Sequence, residues 1–109
     1  GISTQVGSTA YNRSLGGSIL YEGLDFIQLT EITGIHHRSF RSLGSPLILP
    51  NKSVVSLKSD DFCEAILCFD YLSLPLKRES VINVKYSNKT AKLIYRQDKS
   101  YIERLKSLF

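Results

Sequence analysis

Apolar runs of strand length, separated by residues that favour turns, recur along the chain and restrict the folds it can adopt. Residues 26–32 mix β-branched and apolar side chains with polar ones, and residues 46–50 form a short apolar run that begins and ends with proline. Both patterns predict strands, and the prolines place the second at a sheet edge or a strand end. A third strand is predicted over residues 53–58, where Val55 and Leu57 share one face.

A tight hairpin is predicted further along the chain. The apolar runs 65–69 and 72–76 are separated only by Asp70 and Tyr71. A two-residue connection between strand-like runs is typical of a β-hairpin. Pro75 makes the second run an edge strand, because proline has no N–H to donate to a further neighbour.

A second hairpin is predicted over residues 82–95. Apolar and polar residues alternate in 82–86 and again in 91–95, as they do in half-buried strands. The intervening residues 87–90 favour a turn, since Asn88 tolerates a left-handed backbone. Residues 82–86 are therefore expected to pair with residues 91–95.

One short helix is predicted near each end of the chain. Residues 8–15 have potential capping residues in front of them, and Gly16-Gly17 behind them is a stop signal. Ser100 and Glu103 have the spacing of a capping box. Apolar residues three and four apart then form one stripe that can dock on a sheet. These residues are Tyr101, Ile102, Leu105, Leu108 and Phe109.

These patterns predict a mainly β fold: two packed β-sheets in a β-sandwich-like arrangement, with short helices after the first strand and at the C-terminus. The 109 residues suffice for one modest core, so residues 1–109 are assigned to a single domain. No apolar run approaches the roughly 18–20 residues of a spanning helix, and no secretory signal precedes the first strand. We therefore expect a cytoplasmic protein without a membrane partner. Because the chain has no Met and opens like the inside of a strand, we expect a fragment of a longer protein.

The distribution of charged and metal-ligating residues argues against two further classes of site. The net charge is +4, but Lys and Arg are scattered rather than clustered as in nucleic-acid-binding domains, so no nucleic-acid partner is expected. Cys63 and Cys68 are too few for a zinc site, which takes about four ligands, and are expected to be reduced. The adjacent His36 and His37 are expected to be loop residues. No metal site is predicted.

One corner of the chain has the pattern of a ligand site. Residues 3–17 combine a strand, a small-residue turn at Gly7-Ser8 and the first turn of a helix. Such a turn exposes backbone N–H groups and the positive end of a helix to an anionic or polar ligand. Small side chains let the ligand approach the main chain, and Tyr11 offers a flat ring for stacking. A helix start capped by hydroxyl groups, with no ligand, is the alternative interpretation.

This corner resembles the Gly-Ser-Thr-Ala-Tyr signature of the NAD kinase family, which lines the adenosine side of bound NAD. Residues 29–32 and 38–50 are similar to the continuation in NAD kinases of low-GC Gram-positive bacteria, and residues 101–107 resemble their terminal helix. The resemblance spans nearly the whole chain. It implies the C-terminal, NAD-binding domain of an NAD kinase that uses ATP or polyphosphate.

The resemblance also implies which residues contact NAD. Six consecutive residues, called the strip from here on, would line the adenosine part. The strip consists of Thr9, Ala10, Tyr11, Asn12, Arg13 and Ser14. Tyr71 stands where relatives have a Gln or His that reaches the ligand, and Thr33 where they have a backbone contact made across a subunit interface. Val6 replaces a hydroxyl-bearing residue, and the loss of one such hydrogen bond lowers affinity by up to about tenfold.

Activity is implied only for a longer protein. Family enzymes transfer a terminal phosphoryl group to the adenosine 2′-hydroxyl of NAD. They use a divalent metal, expected to be Mg²⁺. They also use an Asp from a Gly-Gly-Asp-Gly loop in an N-terminal domain. That loop and the family's Asn-Glu pair are absent from this chain. The resemblance therefore implies no catalytic residue in this chain, no cofactor bound by it alone, and dimers or tetramers formed through this domain.

Three alternatives stay open at this point. A lipid kinase-like C-terminal domain would act on diacylglycerol or a sphingoid base, although Thr9-Ala10-Tyr11 matches the dinucleotide branch better. A non-catalytic β-sandwich interaction module would bind no small ligand through Tyr11. An RNA-binding β domain would bind nucleic acid with a steep dependence on salt.

Overall fold

The computed structural model describes residues 1–34, 39, 41–94 and 99–108. Its elements are β1 (Ile2–Ser3), α1 (Gln5–Ser8), α2 (Tyr11–Ser14), β2 (Phe26–Leu29), β3 (Leu47–Pro50), β4 (Val54–Lys58), β5 (Ile66–Phe69), β6 (Leu72–Pro75), β7 (Val81–Lys85) and α3 (Tyr101–Lys106). Strands in antiparallel sheets dominate, which confirms the mainly β class and is consistent with a β-sandwich-like domain. The chain forms two compact units, Gly1–Asn51 with Ser87–Phe109, and Lys52–Tyr86. The single-domain assignment of residues 1–109 stays a prediction.

A three-stranded sheet of order β1-β2-β3 organises the first unit. The central strand β2 pairs with β1 through Gln28 and Ser3 and with β3 through Ile27 and Leu49. Successive side chains point to opposite faces, so Ile27 faces one side of the sheet and Gln28 the other. Both are buried, which shows that β2 is covered on both faces. The strand β3 lies at the edge and ends at Pro50, as predicted.

The second unit contains two two-stranded sheets, of which β4-β7 has the apolar face. Val55 lies opposite Val84, and Leu57 lies opposite Ile82. Paired residues share a face, and so do residues two apart, so all four apolar side chains point the same way. Val55 is the buried member and the other three are half-buried, so this face forms the core of the unit.

The strands β5 and β6 form the predicted tight hairpin. Phe69 lies opposite Leu72, which leaves Asp70 and Tyr71 as a two-residue turn. Asp70 has a φ of 51°, and aspartate tolerates this left-handed conformation better than most residues do. Among the described strands β6 pairs with β5 alone, in agreement with Pro75 at its end.

The prediction of a hairpin over residues 82–95 is wrong. The strand β7 pairs with β4 instead, and residues 91–94 belong to no strand. Tyr95 lies outside the described residues. Alternation identifies a half-buried strand but not its partner, and β4 offers β7 a matching apolar face through Val55 and Leu57.

The helix α3 begins with the predicted capping box. The Ser100 hydroxyl accepts a hydrogen bond from the Glu103 N–H at 3.3 Å, and the Glu103 carboxylate accepts one from the Ser100 N–H at 2.9 Å. Each bond satisfies a backbone donor that the helix start leaves without an intrahelical acceptor.

Replacing Ser100 with alanine is expected to destabilise α3 by about 1 kcal/mol, because the Glu103 N–H loses its acceptor. This corresponds to about fivefold faster hydrogen exchange of the α3 amides where the helix opens locally. The matched variant Ser100→Thr keeps the hydroxyl and should exchange like the original chain. Equal exchange in the alanine and threonine variants would contradict the capping role.

The helix α3 docks on the segment that precedes β2. The Tyr101 hydroxyl donates to the Leu20 carbonyl at 3.1 Å, and the Tyr101 ring meets the Tyr21 ring edge-on at 4.7 Å between centroids. The Arg104 guanidinium pairs with the Glu22 carboxylate at 2.9 Å.

The apolar stripe predicted for α3 is buried only in part. Tyr101 and Leu105 are half-buried, Ile102 and Leu108 are exposed, and Phe109 lies outside the described residues.

In the described part of the chain, no helix combines the length and apolar character needed to cross a bilayer.

Candidate functional site

The corner predicted to bind a ligand contains two four-residue helices rather than one. The helix α1 ends at Ser8, and α2 begins at Tyr11, so the single helix predicted over residues 8–15 is wrong. Ala10 separates them with φ −95° and ψ −131°, which are not helical angles. The side-chain amide of Asn12 then binds the Ser8 carbonyl at the end of α1. A local side-chain contact thus satisfies the Ser8 carbonyl where the helical hydrogen-bond pattern is interrupted.

Neither helix has the hydroxyl cap that the sequence suggested. The N-cap residues Thr4 and Ala10 make no capping hydrogen bond through a side chain. The hydroxyls of Ser8, Thr9 and Ser14 instead donate to carbonyls three residues earlier, at 2.6, 3.3 and 2.7 Å. A helix of four residues also has few aligned peptide dipoles, so the anion-binding role expected of the helix start has little physical basis here.

The helix α2 ends in a Schellman motif, as the pair Gly16-Gly17 predicted. The Gly16 N–H donates to the Arg13 carbonyl and the Gly17 N–H to the Asn12 carbonyl, both at 3.0 Å. Gly16 has a φ of 79°, which favours glycine. At Gly17 the requirement is spatial, because a Cβ atom there would overlap the side-chain amide of Asn12.

Most of the strip is accessible at the surface. Ala10, Tyr11, Arg13 and Ser14 are exposed, Thr9 is half-buried, and Asn12 is buried. Tyr11 has 66% of its surface exposed, so its ring is available for stacking. The Arg13 guanidinium also donates to the Leu108 carbonyl at 3.0 Å, which ties it to the end of the chain after α3. Contact between the strip and NAD stays a prediction.

Asn12 is the centre of a buried polar network beneath the strip. Its Nδ2 donates to the Ser8 carbonyl and to the Ser18 carbonyl, both at 3.3 Å. Its Oδ1 accepts a hydrogen bond from the Thr30 hydroxyl at 2.7 Å. Asn12 and Thr30 are 5% and 3% exposed, so these bonds form away from water. One side chain therefore joins α1, the segment after α2 and the residue that follows β2.

Gln28 and Ser8 complete the same network. The Gln28 side chain accepts from the Ser18 N–H at 2.6 Å and donates to the Ser18 carbonyl at 2.8 Å. The Ser8 hydroxyl accepts from the Leu20 N–H at 3.0 Å. Gln28 and Ser8 are fully buried, and their polar groups are paired within the protein. The network therefore anchors residues 18–20 as well as α2.

Sequence reasoning missed Gln28 and Thr30. Their signal is present, because two polar residues at alternating positions of a mostly apolar strand share one face. The pattern does not reveal what covers that face. In the structure, Asn12 of α2 bonds to Thr30 and the Ser18 backbone bonds to Gln28.

A cleft of about 350 Å³ begins just beyond the end of α2, and no residue of the strip lines it. It lies between Leu15 and Gly16, the pair Thr30 and Glu31, and the loop that leads into β3. The Glu31 carboxylate accepts hydrogen bonds from two N–H groups of this loop, at 2.9 and 3.4 Å. The volume is at the lower end of the range for small-molecule sites.

Thr33 and Gly34 lie close to this cleft. Gly34 lines it, and Thr33 has a φ of 54°, a strained conformation for a β-branched residue. The predicted ligand contact of Thr33 across a subunit interface stays a prediction.

Tyr71 and Val6 are the remaining positions of interest. Tyr71 occupies the tip of the β5-β6 hairpin and is 92% exposed. It belongs to the second unit, whereas the strip belongs to the first, so its role at the ligand stays a prediction. Val6 is exposed on α1, where it offers no hydrogen-bonding group.

Side chains that could ligate a metal form no cluster in the part of the chain that the structure describes, where no three or more His, Cys, Asp or Glu lie close enough together to hold an ion. Cys63 and Cys68 are free and exposed. His36 and His37 lie outside the described residues.

Comparison with known proteins gives consistent matches to one family. The family described as the ATP-NAD kinase C-terminal domain matches residues 2–96. The chain is 42% identical to the NAD kinase of Geobacillus stearothermophilus over 87 residues, which are 80% of this chain and 32% of that protein. It is 37% identical to NAD kinase 1 of Listeria monocytogenes serotype 4b over 100 residues, with 92% and 37% covered. It is 34% identical to NAD kinase 1 of Halalkalibacterium halodurans over 108 residues, with 99% and 41% covered. The chain thus spans only 32–41% of the length of these relatives.

Proposed function

The chain belongs to the ATP-NAD kinase C-terminal domain family, and we propose on this basis that it forms the dinucleotide-binding part of an NAD kinase. The observation that carries the proposal is the accessible strip, in which Tyr11 and Ser14 lie on the exposed side of α2.

The chemistry of the strip suits an adenosine. The Tyr11 ring offers a stacking surface for a base. The Ser14 hydroxyl donates to the Tyr11 carbonyl, so its oxygen retains lone pairs that can accept from a ligand. Ala10 has a side chain small enough to let a ligand approach the main chain. We assign Thr9, Ala10, Tyr11, Arg13 and Ser14 to this surface.

In the longer protein, the reaction proposed is transfer of the terminal phosphoryl group of ATP or polyphosphate to the adenosine 2′-hydroxyl of NAD, which yields NADP. Phosphoryl transfer depends mainly on the positions of acceptor and donor. The contribution proposed for this chain is to hold the adenosine so that its 2′-hydroxyl faces the donor. A divalent metal, Mg²⁺, would come with the phosphoryl donor.

We also propose that copies of this chain associate. On the β5-β6 hairpin, Leu67, Phe69, Leu72 and Leu74 share one face, and the last three are about half exposed. Apolar faces and unpaired strand edges of this kind are commonly covered by a partner subunit.

We propose further that the protein is cytoplasmic, because the exposed free thiols of Cys63 and Cys68 suit a reducing compartment.

Titration of the chain with NAD, followed by NMR, tests the binding proposal directly. The amide resonances of Ala10, Tyr11 and Ser14 are expected to shift with increasing NAD. Adenosine should shift the same resonances, whereas nicotinamide mononucleotide, which has no adenosine, should not. Absence of any shift with NAD, or selective shifts with a short-chain diacylglycerol, would overturn the proposal.

The chain alone is expected to form no NADP from NAD with either ATP and Mg²⁺ or polyphosphate, because it contains neither the Gly-Gly-Asp-Gly loop nor the Asn-Glu pair. The measurement is an enzymatic assay for NADP, with the NAD kinase of Geobacillus stearothermophilus as positive control. NADP production by the chain at a rate above the protein-free background would refute this expectation.

A further inference from the structure

Asn12 differs from its neighbours on α2 in being buried. Tyr11 precedes it, Arg13 and Ser14 follow it, and these three side chains are exposed. In the strip, Asn12 therefore lies on the side of the helix that faces the protein. Its contacts are with the Ser8 and Ser18 carbonyls and the Thr30 hydroxyl.

The partners determine the orientation of the Asn12 amide. A carbonyl can only accept a hydrogen bond, so the two carbonyls require the NH₂ group on their side. The Oδ1 atom then faces the Thr30 hydroxyl, which donates to it at 2.7 Å. Both N–H donors of the Asn12 side chain are used within the protein, and neither is left for a ligand.

The position of α2 depends on these contacts because the helix has little stability of its own. It has four residues, whereas isolated helices below roughly 12 residues are marginal in water. Its N-cap is Ala10, which supplies no capping side chain. Tertiary contacts must therefore hold the helix, and Asn12 provides its buried ones.

We propose that Asn12 and Thr30 are positioning residues: their hydrogen bond holds α2 against the end of β2 so that Tyr11 and Ser14 face the dinucleotide. Asn12 is thereby removed from the ligand-contacting part of the strip. Thr30 lies 18 positions away in the sequence, is buried, and its hydroxyl reaches the strip through Asn12. The inference rests on the proposed function for its ligand.

The variant Thr30→Val tests the bond without touching the strip. Valine has nearly the same shape as threonine but no hydroxyl, so the Asn12 Oδ1 loses its donor. Thr30→Ser keeps a hydroxyl at this position and should therefore retain the hydrogen bond to the Asn12 Oδ1. Ile27→Val is the matched control for a loss of stability, since Ile27 is buried in the same sheet but faces its opposite side.

Hydrogen exchange gives a readout that needs no ligand. The Leu15 and Gly17 amides donate to carbonyls of α2, so their exchange reports on opening of that helix. In Thr30→Val they are expected to exchange about five- to thirtyfold faster, while amides between β2 and β3 stay protected. Thr30→Ser and Ile27→Val should leave these two amides unchanged. Unchanged exchange in Thr30→Val would overturn the proposal, whether or not the chain binds NAD.

Affinity for NAD, measured on the same folded variants by NMR titration, tests the consequence for the ligand. Thr30→Val is expected to bind about three- to tenfold more weakly, because binding must then order α2. Thr30→Ser and Ile27→Val should bind as the original chain does. Faster exchange with unchanged affinity would show that the pair does not position the strip. Failure of every variant and of the original chain to bind NAD would instead refute the proposed function, and the exchange rates would still decide whether the bond holds α2.

Discussion

Replacing Gly17 with alanine is expected to lower the free energy of unfolding by about 2–4 kcal/mol. The new Cβ would overlap the side-chain amide of Asn12. This amide cannot move away without breaking its bonds to the Ser8 carbonyl and the Thr30 hydroxyl. Chemical denaturation of the two proteins measures the difference.

A double-mutant cycle separates this overlap from a general intolerance of alanine at position 17. In an Asn12→Ala background the amide is absent, so Gly17→Ala should cost less than about 1 kcal/mol. Gly23→Ala provides a second comparison, since Gly23 has a φ of 88° and no atom would lie within 4 Å of its Cβ. That variant should lose only the cost of a left-handed alanine, about 1–2 kcal/mol. Equal losses from Gly17→Ala in both backgrounds would show that the amide is not the cause.

Replacing Tyr11 with alanine is expected to weaken NAD binding by about 1–3 kcal/mol, or roughly five- to 150-fold, through loss of a base-stacking surface. Stability should change by less than about 0.5 kcal/mol, because the side chain is 66% exposed. NMR titration with NAD measures the affinity, and thermal denaturation of the same samples measures stability.

Tyr11→Phe is the matched control, because it keeps the ring and removes only the hydroxyl. It should bind NAD within about threefold of the original chain if stacking is the main contribution. Equal binding by the alanine variant would contradict the assignment of Tyr11 and favour an interaction module without a small ligand. A large loss in Tyr11→Phe would instead assign the contribution to the hydroxyl.

The two variants probe opposite sides of one short helix. Tyr11 lies on its accessible side, and Gly17 lies beyond its end, against the buried Asn12. If Tyr11→Ala lowers only the affinity for NAD and Gly17→Ala lowers only the stability of the fold, then ligand binding and structural support of α2 depend on different residues. The Thr30→Val variant connects them, since it leaves both sides of α2 intact and removes only the bond that orients it.

Local features of the fold could be predicted from the sequence where short-range rules govern them. The β5-β6 hairpin follows from two apolar runs around Asp70-Tyr71, and the cap of α3 from the spacing of Ser100 and Glu103. The end of α2 follows from Gly16, which adopts the left-handed conformation that a Schellman motif requires. Each of these features depends on residues within a few positions of one another.

Features that depend on distant partners could not be predicted in the same way. The pairing of β7 with β4 joins segments about 27 residues apart, and the alternation in each strand is equally compatible with another neighbour. The pattern of residues 8–15 predicts one capped helix, but the structure breaks it at Ala10. Two of the contacts that hold Asn12 come from Ser18 and Thr30, which lie outside the signature.

The amino-acid pattern was enough to predict a mainly β chain, a helix end before Gly16-Gly17 and a resemblance to NAD kinases around Tyr11. That Asn12 faces inward while its neighbours in α2 face outward is visible only in the folded chain. A helix of four residues has little stability of its own, so its orientation depends on the contacts beneath it. A buried amide must find its hydrogen-bond partners wherever the fold places them.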